Sequence, residues 1–158
     1  RSRVAGGRAR GMFRGNHSCQ VDEKGRVPFP ARFRDVLAQA GQNVLVLTRG
    51  FEPCIQVFPL VAWLKVEEKL GQMPQFDANV QRMRRLLTGE CAECELDKQG
   101  RILVPPRLRE YAGIGRDAVF VGTMTTVEIW SADGWKKHWD ELVGDTGGVQ
   151  RAVSNFGL

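Results

Sequence analysis

The chain has 158 residues, 42% of them hydrophobic and 26% charged, which suits one mid-sized domain or two small ones sharing a core. No stretch approaches the roughly 20 apolar residues of a membrane span, and no apolar h-region follows the basic start, so a cytoplasmic protein without a membrane partner is expected. The net charge of +5 hints at nucleic acid, but Arg1, Arg3, Arg8 and Arg10 supply four of the positive charges; without them 19 basic side chains face 18 acidic ones, so any positive surface must come from local clustering.

Residues 1–11 are rich in Gly and Arg and lack both acids and apolar periodicity, so they are expected to be a disordered basic extension, with Met12 the functional start. Ser18 to Val21 reads as a strand approaching a tight turn at Lys24-Gly25, and Val27 to Phe29 leaves that turn as an apolar, β-prone run. Pro30 stops the strand and opens a helix over 31–40, with Phe33, Val36, Leu37 and Ala40 inward and Gly41 as its cap. Strands follow at 44–48 and 55–58, then a helix starting near Pro59. Phe76, Val80, Met83 and Leu87 recur at helical spacing, so residues 60–70 and 76–87 form a predicted helical hairpin broken near Gly71 and Pro74. Cys91 to Leu96 approaches a second turn at Gln99-Gly100, Ile102 to Val104 leaves it, and Pro105 opens a short helix over 107–112 capped by Gly113. Strands at 118–122 and 127–130 precede a helix with Ser131 as a plausible N-cap. The Gly-rich tail from Gly144 to Leu158 is expected to be loosely ordered.

These elements repeat. Residues 22–34 read DEKGRVPFPARFR and residues 97–109 read DKQGRILVPPRLR, so Asp22/Asp97, Gly25/Gly100, Arg26/Arg101, Pro30/Pro105, Arg32/Arg107 and Arg34/Arg109 coincide at an offset of 75. Val44-Leu45-Val46 matches Val119-Phe120-Val121 at that same offset, and after a three-residue loop difference Val57-Phe58 matches Ile129-Trp130 and Trp63 matches Trp135. Five stretches follow: the extension at 1–11, a first unit at 16–61, a connecting hairpin at 62–88, a second unit at 90–133, and a C-terminal helix and tail at 134–158.

Two Asp-x-x-Gly-Arg turns, each followed by an apolar strand and a Pro, with Met-Phe-Arg-Gly at 12–15 and Cys-Glu-Leu-Asp-Lys-Gln-Gly-Arg at 94–101, resemble the MraZ family of bacterial transcriptional regulators over nearly everything from Met12 to Leu142. The resemblance implies an α+β, mainly β fold in which two AbrB-like units form a pseudo-twofold barrel, with helices between and after them. It also implies rings, commonly octamers or dodecamers. These would bind direct repeats upstream of the division and cell-wall gene cluster through the turns, placing the protein at the nucleoid as a repressor of its own operon. Asp22, Arg26, Asp97 and Arg101 are the residues carried over.

The residues support that expectation on physical grounds. A two-stranded ribbon enters a major groove, and Arg suits bidentate contact with a guanine edge or with a phosphate. Asp22 and Asp97 either pair with the Arg four residues on or accept the turn's N–H groups. Lys24, Lys98, Arg32 and Arg107 are candidates for phosphate contacts. Residues 12–35 hold five basic groups against three acidic, and 97–110 hold four against two, an excess too small for tight binding unless many turns act together. The first turn has Lys24 where the second has Gln99, so the copies need not contribute equally.

Other signals point elsewhere or nowhere. Cys91 and Cys94 have the spacing of half a zinc site, but no complementary pair exists, and four cysteines in such a chain read as free thiols. His17 and His138 have no partners for acid–base work, and no phosphate loop or dinucleotide fingerprint occurs. No enzyme activity, cofactor, metal or small-molecule substrate is expected. The stripes Leu60, Trp63, Leu64, Leu70 and Trp135, Trp139, Leu142 are core by default, or partly a face for a neighbouring subunit. Arg82, Arg84 and Arg85 read as a solvated face, as intersubunit pairs with acids such as Glu67 and Glu68, or as a second DNA patch. The competing reading of the whole chain is an AbrB-like assembly or protein-interaction scaffold.

Overall fold

The computed structural model describes residues 11–158; the expected basic extension lies, apart from Gly11, outside the described residues. In chain order the elements are β1 (Asn16–Gln20), β2 (Arg26–Pro28), α1 (Ala31–Gln39), β3 (Val44–Arg49), β4 (Ile55–Pro59), α2 (Leu60–Gln72), α3 (Ala78–Thr88), β5 (Ala92–Glu95), β6 (Arg101–Leu103), α4 (Pro106–Tyr111), β7 (Asp117–Thr123), β8 (Thr126–Ser131), α5 (Ala132–Gly144) and α6 (Thr146–Val153), with a 3-10 turn at Ser154–Phe156.

An antiparallel sheet of six strands runs β1-β7-β8-β4-β3-β5, while β2 and β6 pair only with each other. Exchanging the two copies turns the sheet order into its own reverse, and the ribbon β2-β6 maps onto itself about the pair Val27↔Ile102. The pseudo-twofold relation is therefore present, and the copies are interlaced: β1 of the first unit pairs with β7 of the second, and β5 of the second pairs with β3 of the first. Closure into a barrel is not. β1 and β5 are the two edges of the sheet, because each leaves it at its turn and the chain continues into the separate ribbon instead of pairing across the gap. Ribbon and helices cover that side. Val27, Phe29, Phe33, Ile102, Val104 and Leu108 share one core with Leu45, Leu47, Ile55, Val57, Phe120 and Ile129 of the sheet, all at most 1% exposed.

Strand registers correct the repeat in one respect. Ser18 and Glu93, equivalent at an offset of 75, pair with Val119 and Val46, which are 73 apart. Leu45 and Leu47 thus take the places of Ala118 and Phe120, not of Phe120 and Gly122. A two-residue slip keeps every side chain on its own face of the sheet, so apolar patterning alone does not reveal it. The three-residue difference is taken up in two steps, two residues before β3 and one between β3 and β4.

The helix ends follow their sequence signals. Gly41 and Gly113, at φ +64° and +65°, carry matched caps in which Gln42 N donates to Leu37 O and Ile114 N to Arg109 O, both at 2.9 Å. Ser131 Oγ accepts from Gly134 N at 2.9 Å and opens α5. Two expectations fail. α2 continues through Gly71, and α3 begins only after Asp77, whose side chain caps it, so Phe76 lies outside the helix and is 90% exposed. The tail is helical: Asp145 accepts from Gly148 N at 3.2 Å, and Val149 and Val153 of α6 line an apolar groove with Trp139, Leu142 and Val143. That cap and that packing outweigh the two glycines which, read locally, argue against a helix.

The apolar stripes divide between core and surface. Trp63 and Leu70 are buried, Trp63 over a second small core with Val46 and Phe58, whereas Leu64 and Trp139 face outward. Arg84 is half-buried and bonds within its own hairpin. Its Nη2 donates to Leu70 O at 2.7 Å and to Met73 O at 3.3 Å, satisfying carbonyls that the end of α2 leaves open.

Phe33 sets the tightest test of this packing. Its ring lies edge-on to Phe13 at 5.4 Å and to His17 at 5.0 Å, and it touches Phe29 at 6.1 Å. Phe33→Ala is expected to lower stability by about 3–5 kcal/mol in chemical denaturation, whereas a loss below about 1 kcal/mol would mean that this cluster is not the core.

Candidate nucleic-acid interface

Each turn is built by one aspartate. Asp22 Oδ1 accepts from Lys24 N at 2.9 Å and from Arg26 N at 2.8 Å, while its Oδ2 accepts from Arg26 Nε at 3.0 Å. The main chain closes the turn, with Gly25 N donating to Asp22 O at 3.0 Å and Asp22 N to Arg26 O at 2.9 Å. The second copy repeats the set: Asp97 Oδ1 accepts from Gln99 N and Arg101 N, and Oδ2 from Arg101 Nε, all at 2.9 Å. The two roles left open for the aspartates are thus filled at once. Gly25 and Gly100 stand at φ +87° and +74°, the left-handed region that the turn requires and a Cβ disfavours.

The aspartate fixes where its arginine points. Only Nε is spent on the carboxylate, and neither η nitrogen of Arg26 or Arg101 hydrogen-bonds to a described residue, so the outer edge of each guanidinium remains available. Register then places both arginines together. Val27 and Ile102 point into the core, so Arg26 and Pro28 on one strand and Arg101 and Leu103 on the other share the outward face of the ribbon. Arg26 is opposite Leu103 and Arg101 opposite Pro28, which sets the two arginines on a diagonal at about 7–8 Å. Leu103 between them is 55% exposed.

The remaining site candidates are less concentrated. Lys24 and Lys98 are exposed at the turn tips. Arg32 and Arg107 lie beyond the ribbon, in the first turns of α1 and α4, and Arg107 Nη1 comes within 3.7 Å of Glu90 Oε1. Two residues absent from the candidate set prove to touch the turns: Arg109 lies against Gly25 and Arg34 against Gly100, each from the other copy. Their signal was the same recurrence at 75 that marks the Asp-Gly-Arg positions, but nothing in the sequence says which turn each one meets.

Electrostatics agree with a preorganised tip. Backbone N–H donation from Arg26 and Arg101, followed by their side chains and the N–H groups of Lys24 and Gln99, holds the Asp22 and Asp97 carboxyls below the usual aspartate range. Thiols behave oppositely: burial pushes Cys19 up to about 12 and Cys94 up to about 11, and it raises Cys54 and Cys91 as well. Thiols raised in this way are weak nucleophiles near neutral pH. His17 packs edge-on against Phe33 and His138 stacks on Trp130 at 4.5 Å, so both are packing groups.

A family model described as "MraZ protein, putative antitoxin-like" matches the chain twice, over residues 12–86 and 87–153, which divides it as the internal repeat does. Among curated proteins, a "Transcriptional regulator MraZ" from Thioalkalivibrio sulfidiphilus is 44% identical over 130 residues, covering 82% of this chain and 87% of the relative. One of the same name from Thermomicrobium roseum is 41% identical over 145 residues, 92% of this chain and 99% of the relative. A third, from Pseudomonas aeruginosa, is 41% identical over 126 residues, 78% of this chain and 83% of the relative.

The lowered aspartates give a pH test. Because their carboxyls are lowered on folding, the turn's stabilisation is complete above the ordinary aspartate value near 3.9 and is lost only as pH falls through the lowered one. Carboxyl-carbon NMR titration should place both midpoints below that of a free aspartate. A normal midpoint at either residue would show that its turn is not held by the carboxylate.

Proposed function

The chain belongs to the MraZ family, and from that we propose that it is a transcriptional regulator that binds double-stranded DNA through the outward face of its β2-β6 ribbon. The observation that carries this reading is the doubled aspartate–arginine pair, 3.0 Å in one copy and 2.9 Å in the other, aiming two guanidinium edges from one face. A two-stranded ribbon fits the major groove, where an arginine held at its ε nitrogen still has its η edge for guanine O6 and N7. Arg26 and Arg101 are the readers on this view. Asp22 and Asp97 orient them, and Lys24, Lys98, Arg32 and Arg107 contact phosphate and supply affinity without sequence information.

Charge bookkeeping favours many ribbons acting together. Each arginine's charge is largely offset by its own aspartate, so one ribbon attracts a polyanion weakly, and avidity must come from repetition. A ring of identical subunits, octamer or dodecamer, presents its ribbons with one polarity around the rotation axis. Direct repeats in the promoter, not an inverted repeat, are the DNA arrangement that matches such a presentation. The reading extends to repression of the protein's own division and cell-wall operon, at the nucleoid, with no catalytic step.

The direct test substitutes the two readers. Arg26→Ala with Arg101→Ala should abolish retention of the chain's own upstream DNA in a gel shift while light scattering reports an unchanged assembly. Each single variant should cost about 1–3 kcal/mol in binding, and Lys24→Ala should lower the salt slope by about one phosphate. Normal binding by the double variant would refute the assignment, and a flat salt dependence would favour a protein-binding scaffold.

A further inference from the structure

Resting on that reading of the ribbon, we infer that Arg34 and Arg109 are positioning residues, each bracing the DNA-reading turn of the opposite repeat. The turns do not lean on their own units. Gly25 O in the first turn accepts from Val104 N of the second unit at 2.9 Å, and Gly100 O accepts from Phe29 N of the first, also at 2.9 Å. Arg109 of α4 closes over Gly25: a methyl group on that glycine would meet its Cζ at 3.1 Å and its Nε at 3.2 Å. Arg34 of α1 does the same to Gly100, where a methyl would collide with Nη1 and lie 2.9 Å from Cδ and Cζ. The glycines therefore serve twice, giving the left-handed backbone and leaving a flat bed for the opposing guanidinium.

Hydrogen bonding does not explain the two arginines. The ε nitrogen of each is buried and has no hydrogen-bond partner among the described residues. A long side chain kept in place with its N–H unsatisfied is doing something by shape, and a planar guanidinium over a bare Cα is a close-packed lid that an ammonium cannot reproduce. What lies beneath each lid is the N–H and Cα segment that feeds Arg26 or Arg101 to its aspartate. Displacing the lid frees the glycine and, one residue on, the reader. Both arginines belong to helices packed in the common core, so each tip is tied to the body of the molecule through the other copy.

Arg109→Met and Arg34→Met test this, because methionine keeps an apolar stem of similar reach. In the full chain without DNA, amide hydrogen exchange of Arg109→Met should accelerate at residues 22–26 and stay unchanged at 97–101; Arg34→Met should show the reverse. With DNA, Arg109→Met should weaken binding about tenfold at an unchanged salt slope, since no phosphate contact is lost. The loss should vanish in the background of Arg26→Ala and persist in that of Arg101→Ala, with the mirror pattern for Arg34→Met. Should methionine prevent folding, Arg109→Lys and Arg34→Lys should keep the charge and show the same turn-selective exchange. Equal loosening of both turns, coupling to the reader of the same copy, or a salt slope reduced by about one would each overturn the inference. Because the exchange measurement needs no DNA, a chain that binds no duplex would sink the regulator reading and leave the bracing to be decided separately.

Discussion

Val27 and Ile102 face each other at the middle of a ribbon with three residues in each strand, and their burial orders the rest of the molecule. With one residue of each strand committed inward, the neighbours on either side must point out, and those neighbours are Arg26, Pro28, Arg101 and Leu103. An isolated pair of strands this short is not stable in water. It persists because the two inward side chains join Phe29, Val104, Phe33 and Leu108 over the six-stranded sheet. Display of the arginines is thus a consequence of core packing, and a substitution at Val27 or Ile102 would reach the surface face through the backbone.

Interlacing gives the arrangement a further property. Because β1 pairs with β7 and β5 with β3, neither unit has a sheet of its own. The two copies share one core and are expected to unfold together, despite being separated by the α2–α3 hairpin in sequence. The hairpin is accordingly peripheral. It packs Trp63 over Val46 and Phe58 on the far face of the sheet, and Arg84 seals it by capping the end of α2. Its first helix answers to α5, with Trp63 in the place of Trp135, and only α3 lacks a counterpart in the sequence repeat.

What the sequence disclosed and what it withheld divide along one physical line. Turns, caps and the repeat were legible because they rest on local chemistry: a glycine where the backbone is left-handed, an aspartate with two nearby N–H donors, Ser131 before a helix. Partners were not. No local signal says that β2 pairs with β6, that β1 pairs with the second unit, or that the sheet stays open at β1 and β5. The slip from 75 to 73 between turns and strands escaped because an even shift preserves the alternation of faces. α6 escaped because its stability comes from Asp145 and from contact with α5, against the local preference of Gly147 and Gly148. Arg34 and Arg109 were visible as recurring residues and invisible as contacts, since each meets a turn at a distance in sequence that only the interlaced topology closes.

The two turns are equal in geometry but not in charge, and this decides how they can divide labour. In the first, Glu23 and Lys24 offset each other beside the Asp22–Arg26 pair; in the second, Lys98 and the neutral Gln99 accompany Asp97 and Arg101. The second tip therefore carries one more positive charge on the same scaffold. An aspartate that pairs with its arginine removes most of the attraction that arginine would exert at long range, and what remains is direction at short range. On the proposed reading the second turn thus contributes more to encounter with a polyanion, while both turns contribute equally to register once the ribbon has docked. Each carboxylate serves two ends, since one oxygen accepts the turn's N–H groups and the other holds the arginine. With Nε held at 3.0 Å in one copy and 2.9 Å in the other, orientation of the arginine is, on the proposed reading, what the aspartate adds to closing the turn.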